Sequence, residues 1–444
     1  MLGLAAVCAA WADRMLRILI KFFFVLGVLG GGGYWIWTLF QVVPPMDRAR
    51  ALLAAKDVFG AQVALRSVIK SDPRNAEAHV MLARTQLATS DWLSAEKEAK
   101  ILRALGYDRT VVGPMLVRSY AMQKRWQDIL TDIPAIAAKP EEQAMNLALR
   151  SVAYAGMGEL SQAQDLVEAA VKLSPDNALV HLQRARVALA RKDRDIGLRE
   201  VDAALALGPT SAEALETKSN LLMLRWDTAG AIEQLNRALE VTPLSQELRL
   251  SRADLLMSVG QNQEAQLDVN AIFEITPTNA TALYYNAILM YRFRQFADAN
   301  VEFDKLGGLM DQFPRSYFFK AQIALELGNT QSALESLDRL LKLQPRDAEG
   351  MRLAGQVELA AGKPERVLAL LAPLTGAASR DSGAIDMQGR AYFMMGRMQE
   401  AIEAFRRAAM LAPENKEFSS HLTAAQTQFG VAPAPGDDSG DPMQ

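Results

Sequence analysis

The sequence predicts an all-α chain built from stacked helix-turn-helix repeats. Three observations carry that prediction. Pro175, Pro209, Pro243 and Pro277 follow one another at a spacing of 34 residues, and a fixed period of that size decides architecture before any local reading does. Extended over positions 73, 107, 141, 175, 209, 243, 277, 311, 345, 379 and 413, the same ruler meets Pro at seven of eleven marks. Two further columns are more regular still. Twelve residues before the marks stand Ala61, Ala95, Ile129, Ala163, Gly197, Ala231, Ala265, Ala299, Ala333, Val367 and Ala401. Twelve before those stand Ala49, Ala83, Val117, Ser151, Ala185, Ser219, Ala253, Ala287, Ala321, Gly355 and Gly389. Small side chains recur where two helices must cross closely, because a large one would hold the axes apart.

The larger residues complete the unit. Eight positions before each mark the side chain is apolar in every repeat, from Leu65 and Ala99 to Leu371 and Phe405. Such a column fills the space between repeats, and Pro follows the second helix because it lacks an N–H and clashes with the preceding turn. The last repeat, MQGRAYFMMGRMQEAIEAFRRAAMLAP, shows Gly389, Tyr392, Ala401, Phe405, Ala408 and Pro413. These letters and the period resemble the tetratricopeptide repeat. The resemblance covers residues 42–415 as about eleven repeats, and implies a right-handed α-solenoid.

Composition narrows the function. A formal net charge of −3 argues against general affinity for nucleic acid. One Cys and three His leave too few soft ligands for a zinc site and no partner for a disulfide. No metal and no cofactor is expected.

Taken in order, residues 1–21 read as a short cytoplasmic tail. LAAVC before Cys8 lacks the basic start of a lipoprotein signal, while MLRILIK makes Met15 a candidate start. Residues 22–40, FFFVLGVLGGGGYWIWTLF, carry no charge. At ~1.5 Å rise per residue their length matches a hydrocarbon core of about 30 Å, so one transmembrane helix is expected there. Tyr34, Trp35 and Trp37 suit the membrane interface. Gly30 to Gly33 either allow close packing against a partner helix or mark a signal-peptidase site. An uncleaved single-pass anchor in a bacterial inner membrane, with the repeats in the periplasm, is the expectation. Repeats occupy 42–415. They are irregular around TDIPAIAAKPEEQ and around LGGLMDQFP, where the marks lose their Pro. Residues 416–429 read as a capping helix, which a solenoid needs over its last apolar face. Residues 430–444, rich in Pro, Gly and acid, read as a disordered tail.

No catalytic constellation is visible: GxGxxG, a phosphate loop, GxSxG and HExxH are all missing. His79 and His181 each stand six residues after a Pro mark and read as packing residues, and His421 lies on the capping helix without a Cys or Asp neighbour in sequence. An enzyme is not expected. Binding is, since stacked repeats offer an extended surface lined by the first helix of each pair. Arg50, Arg84, Arg118 and Arg186 share one lattice column, with Arg390 at its far end. Guanidinium forks in that column suit carboxylates of an acidic peptide or a uronic-acid polysaccharide. The alternative is a solvated face with local ion pairs. A second patch holds Tyr284, Tyr291, Arg292, Arg315 and Phe318, a mixture suited to peptide or sugar, with core packing as its alternative.

Residues 75–134 carry a narrower resemblance. Ala95, Glu96, Glu98, Leu105, Gly106, Val112, Pro114, Leu116 and Tyr120 follow a run that looks like the tetratricopeptide-repeat proteins of the PEP-CTERM/exosortase system. That resemblance implies a membrane-anchored scaffold for protein partners in envelope assembly, through exopolysaccharide production or exosortase-linked sorting. A periplasmic guide that binds nascent polysaccharide, and a cytochrome-maturation scaffold, are the other readings.

Overall fold

A computed structural model describes residues 44–430. Among them every regular element is helical: 23 α-helices and one short 3-10 turn. No helix among the described residues is long and apolar enough to cross a membrane. Over the described residues the fold class expected from sequence is therefore corrected to an all-α helical repeat in which no helix is a membrane span. The stretch 22–40 on which that helix was expected lies outside the described residues, as do 431–444 of the expected tail.

The chain divides into two compact units, with the boundary between Arg249 and Leu250. The first holds α1 (Pro45–Ala54), α2 (Val58–Ser71), α3 (Ala76–Ala88), α4 (Trp92–Ala104), α5 (Arg109–Met122) and α6 (Trp126–Asp132). It continues with α7 (Pro140–Gly156), α8 (Leu160–Leu173), α9 (Ala178–Ala190), α10 (Arg194–Leu207), α11 (Ala212–Met223) and α12 (Thr228–Val241), and takes in the start of α13 (Gln246–Ser258). Each pair is joined by a residue with left-handed backbone: Lys56, Ser90, Lys124, Gly158, Lys192 and Trp226. The residue after it opens the second helix, and Asp57, Asp91, Asp193 and Asp227 accept there from the N–H groups of Gly60, Ser94, Ile196 and Gly230. Such a cap satisfies donors that the first turn leaves orphaned.

The sequence columns form the core of this unit. Ala61, Ala95, Ile129, Ala163 and Ala231 are wholly buried, as are Leu65, Ala99, Val167 and Val201. Gly197 shows why small residues are needed: a Cβ there would stand 2.4 Å from Leu221 Cδ2.

The third repeat departs from the lattice. α6 has 7 residues where the other second helices of this unit have 13 or 14. Pro134 follows two residues after it and has no N–H to donate to Leu130 O four residues back. The Arg150 guanidinium of α7 donates instead, to Leu130 O and to Ile133 O, each at 2.7 Å.

The second unit comprises the remainder of α13 with α14 (Asn262–Ile275), α15 (Ala280–Arg292), α16 (Phe296–Lys305), α17 (Arg315–Glu326) and α18 (Thr330–Leu343). α19 (Ala348–Ala360), α20 (Pro364–Thr375), α21 (Ser382–Met394), α22 (Met398–Leu411) and α23 (Lys416–Phe429) complete it. The same left-handed turn recurs at Gly260, Arg294, Gly328, Gly362 and Gly396. A 3-10 turn at Gly307–Gln312 replaces the end of the eighth repeat. On α23, Phe418 and Ala425 are buried against residues of α21 and α22, including Ile385, Ala408, Ala401 and Phe405. Full burial of a Leu, Val or Phe side chain contributes about 1.5–3 kcal/mol, so these columns supply most of the drive to stack.

Candidate functional site

Residues 34 apart on first helices share a face, and in the first unit this gathers a cleft. Its volume is about 460 Å³, and its walls include Arg84 and Leu87 of α3, and Pro114, Met115 and Arg118 of α5. Opposite stand Glu213 and Glu216 of α11, with Leu248 of α13. Arg118 spans the cleft. Its guanidinium donates to Glu247 at 2.7 Å and to Glu213 at 3.1 Å, residues 129 and 95 positions further along the chain. Arg186 of α9 reaches the same Glu213 at 3.3 Å and Thr217 Oγ1 at 3.3 Å.

These charges are unequal in their satisfaction. Burial works against the charge of Arg118, but Glu213, Glu247 and Glu216 outweigh it and raise its pKa. Burial would likewise push Glu213 up, yet Arg186 and Arg118 hold its carboxyl below the usual range. Glu216 is helped less. Burial and the neighbouring Glu247 push it up to about 7, with Arg118 and Arg186 offsetting only part. No hydrogen bond or ion pair of Glu216 is found among the described residues.

The four arginines of the sequence column therefore stand in different situations. Arg50 is half exposed and pairs with Asp47 at 2.7 Å and Glu77 at 2.5 Å. Arg118 and Arg186 converge on Glu213. Arg84 is exposed at the cleft, with no ion pair among the described residues. Arg390 is exposed on α21. Glu213 and Glu247 were not singled out from sequence, although a signal existed: Glu77, Glu213, Glu247 and Glu349 share a lattice column, and Arg50/Glu77 and Arg186/Glu213 have the same separation.

In the second unit the aromatic side chains mostly hold one another. The ring of Tyr284 stacks on Phe313 at 5.1 Å, and Tyr291 meets Phe319 edge-on at 5.4 Å. Arg292 turns to Met257 O at 2.5 Å and Asn262 Oδ1 at 2.9 Å. Arg315 lies 4.0 Å over the Phe318 ring and pairs with Glu349 and Asp347. Arg315 and Phe318 thus come together, whereas Arg292 serves a helix end.

The histidines repeat one device. His79 sets Nδ1 2.5 Å from Glu98 and Nε2 3.1 Å from Pro73 O; His181 sets Nδ1 2.7 Å from Glu200 and Nε2 2.5 Å from Pro175 O. Arg249, at the same lattice position, donates to Pro243 O at 2.9 Å. On α23, His421 Nδ1 lies 2.8 Å from Asp386, whose carboxyl burial pushes up. The residues behind the narrower resemblance likewise have packing partners. Glu96 binds Lys100 and Arg125, both at 2.7 Å, and the buried Tyr120 hydroxyl donates to Asp132. Burial and that carboxylate push Tyr120 up to about 12.

The cleft is thus walled mainly by first helices of a helical-repeat scaffold. Tetratricopeptide-repeat family models match residues 320–382 and 383–415. Those residues are tetratricopeptide repeats, and the same lattice runs ungapped through the rest of the described chain. Neither match is to an enzyme family. Among curated proteins none matches. Solved structures that resemble the chain include yeast Tom70, at 15% identity over 96% of this chain and 98% of that one, with a TM-score of 0.42. Pseudomonas aeruginosa pilF aligns at 19% identity over 49% and 100%, with a TM-score of 0.44. PilW, described as a type IV pilus biogenesis factor, aligns at 23% over 48% and 97%, with a TM-score of 0.42.

Proposed function

We propose that this chain is a scaffold that captures an extended segment of a protein partner in the cleft of its first unit. The observation that carries this reading is Glu216, a carboxyl lining the cleft that makes no ion pair among the described residues, while Arg118 and Arg186 are directed to Glu213 and Glu247. A Lys or Arg side chain of the partner pairs with it, with its aliphatic stem against Leu87, Val111 and Leu248. Arg84 at the cleft takes an acidic group of the same segment. The wider role we infer is envelope assembly, in exopolysaccharide production or exosortase-linked protein sorting. The run from Ala95 to Tyr120 supports that pathway, which carries a periplasmic location for the repeats.

The test is a photoreactive residue in place of Met115, with the cross-linked protein identified by mass spectrometry. Wild type, Glu216→Lys and Arg84→Glu are compared. Loss of the cross-linked partner in Glu216→Lys, with thermal melting unchanged, is expected. An equal yield from all three overturns the cleft as the binding site.

A further inference from the structure

A second cavity lies where the third repeat breaks. Its volume is about 640 Å³, and Tyr107, Val112, Leu116, Ile133, Met145 and Asn146 are among its walls. Its origin is legible in the lattice. Five residues before each mark, the repeat presents an apolar side chain: Val68, Leu102, Ala170, Ala204, Ala238, Ile272, Leu306, Leu340 and Ala408 are buried, and Leu374 is partly buried. In the third repeat that position is Ile136, and it is 80% exposed. The ninth repeat shows what the side chain ordinarily does. Leu340 Cδ2 lies 2.7 Å from where a Cβ on Gly350 would be, and six repeats earlier the equivalent pair is Ile136 and Asn146. With Ile136 gone from its place, Asn146 lines the cavity at 5% exposure and its amide nitrogen has no hydrogen-bond partner.

The chain's own segment is kept from refilling the space. Pro134 cannot donate to Leu130 O, and Arg150 already holds that carbonyl and Ile133 O. Charge sets the character of an occupant from outside. Arg103 pairs with Asp132 at 3.1 Å, Arg109 pairs with Glu142, and Asp108 caps α5 by accepting from Thr110 N–H at 2.8 Å. The two arginines at this cavity are thus each paired, and the Asp108 carboxylate is engaged in the helix cap, so a further charge would enter at a desolvation cost. An apolar side chain would enter freely, and a backbone carbonyl beside it would accept from Asn146. Beside the cavity, Pro134, Ala135 and Ile136 are exposed, which continues the apolar surface outward.

We propose that this cavity is a docking pocket for one apolar turn of helix from a protein partner, seated where the second half of the third repeat's helix is missing. The site is separate from the cleft of Arg118 and does not depend on it. The probe is a synthetic capped peptide, SLDRLLKLQ, the sequence of residues 336–344 in which Leu340 fills the equivalent place. Binding to the full chain is measured by calorimetry. Saturable binding is expected, weakened by about tenfold or more when Leu340 of the peptide is replaced by Asp. Asn146→Trp, which fills the cavity, is expected to abolish it while the thermal midpoint holds. Val112→Phe fills the cavity from the α5 wall and gives the same reading if Asn146→Trp fails to fold. No saturation by about 1 mM peptide, or equal affinity for wild type and the folded filled variants, overturns the proposal.

Discussion

Arg118→Met tests whether one guanidinium holds the first unit's cleft together. The substitution keeps the aliphatic stem and removes the charge. Glu213 then retains Arg186, but Glu247 loses the ion pair it makes at 2.7 Å. Exposed pairs contribute 0–1 kcal/mol and stripping one partner from a fully buried pair costs about 3–5 kcal/mol. Here the side chains of Arg118, Glu213 and Glu247 are 27%, 31% and 28% exposed, so solvent screens part of the effect. A loss of about 2 kcal/mol follows, roughly thirtyfold in the folding equilibrium. Because arrays of repeats need not unfold in one step, urea denaturation is combined with amide exchange in α5 and α11. A cycle with Glu247→Gln isolates the pair, with a coupling of about 1–2 kcal/mol expected. A variant within about 0.5 kcal/mol of wild type, with exchange in α11 unaltered, would refute the argument that this bridge ties distant repeats.

Other outcomes follow from the same contacts. Glu216, raised from 4.5 to about 7, contributes stability that is fully present below pH 4.5 and is lost as pH rises through 7. After discounting for its partial exposure, Glu216→Gln should exceed wild type by about 1 kcal/mol at pH 8 and match it at pH 4.5 in paired melts; a constant difference across that range counts against the assignment. Gly389→Ala would put a Cβ 2.7 Å from the Phe405 ring, and overpacking of about 1–3 kcal/mol outweighs the ~1 kcal/mol gain in helix propensity, so its melting midpoint should fall. His181→Ala should cost about 1–2 kcal/mol through the bonds to Glu200 and Pro175 O. His181→Arg should cost much less, since Arg249 makes the corresponding carbonyl bond; equal losses in the two variants would dismiss the shared device.

The repeat was legible because its cause is local and periodic. Helix crossing demands small residues at Ala61, Ala95 and Ala231, and stacking demands apolar ones at Leu65, Val167 and Leu337. Every repeat therefore writes the same demand in the same columns. The expected transmembrane helix at 22–40 rested on an uncharged run of bilayer-spanning length and on interfacial aromatics; that stretch lies outside the described residues, among which no helix is long and apolar enough to cross a membrane. The arginine column was also visible, but its chemistry was not. Arg118 finds Glu247 across 129 positions, a distance no spacing rule within one repeat anticipates.

By itself, then, the sequence determined which side chains face inward in each repeat, because a helical period converts spacing into direction. Only the tertiary structure decided which charges meet across the cleft and which carboxyl there, Glu216, makes no ion pair among the described residues. It also decided that losing half a helix at Pro134 opens a cavity beside Asn146. Those outcomes depend on how many repeats separate two groups and on what each neighbour has already paired. Such distances are set by stacking rather than by any residue's own preference.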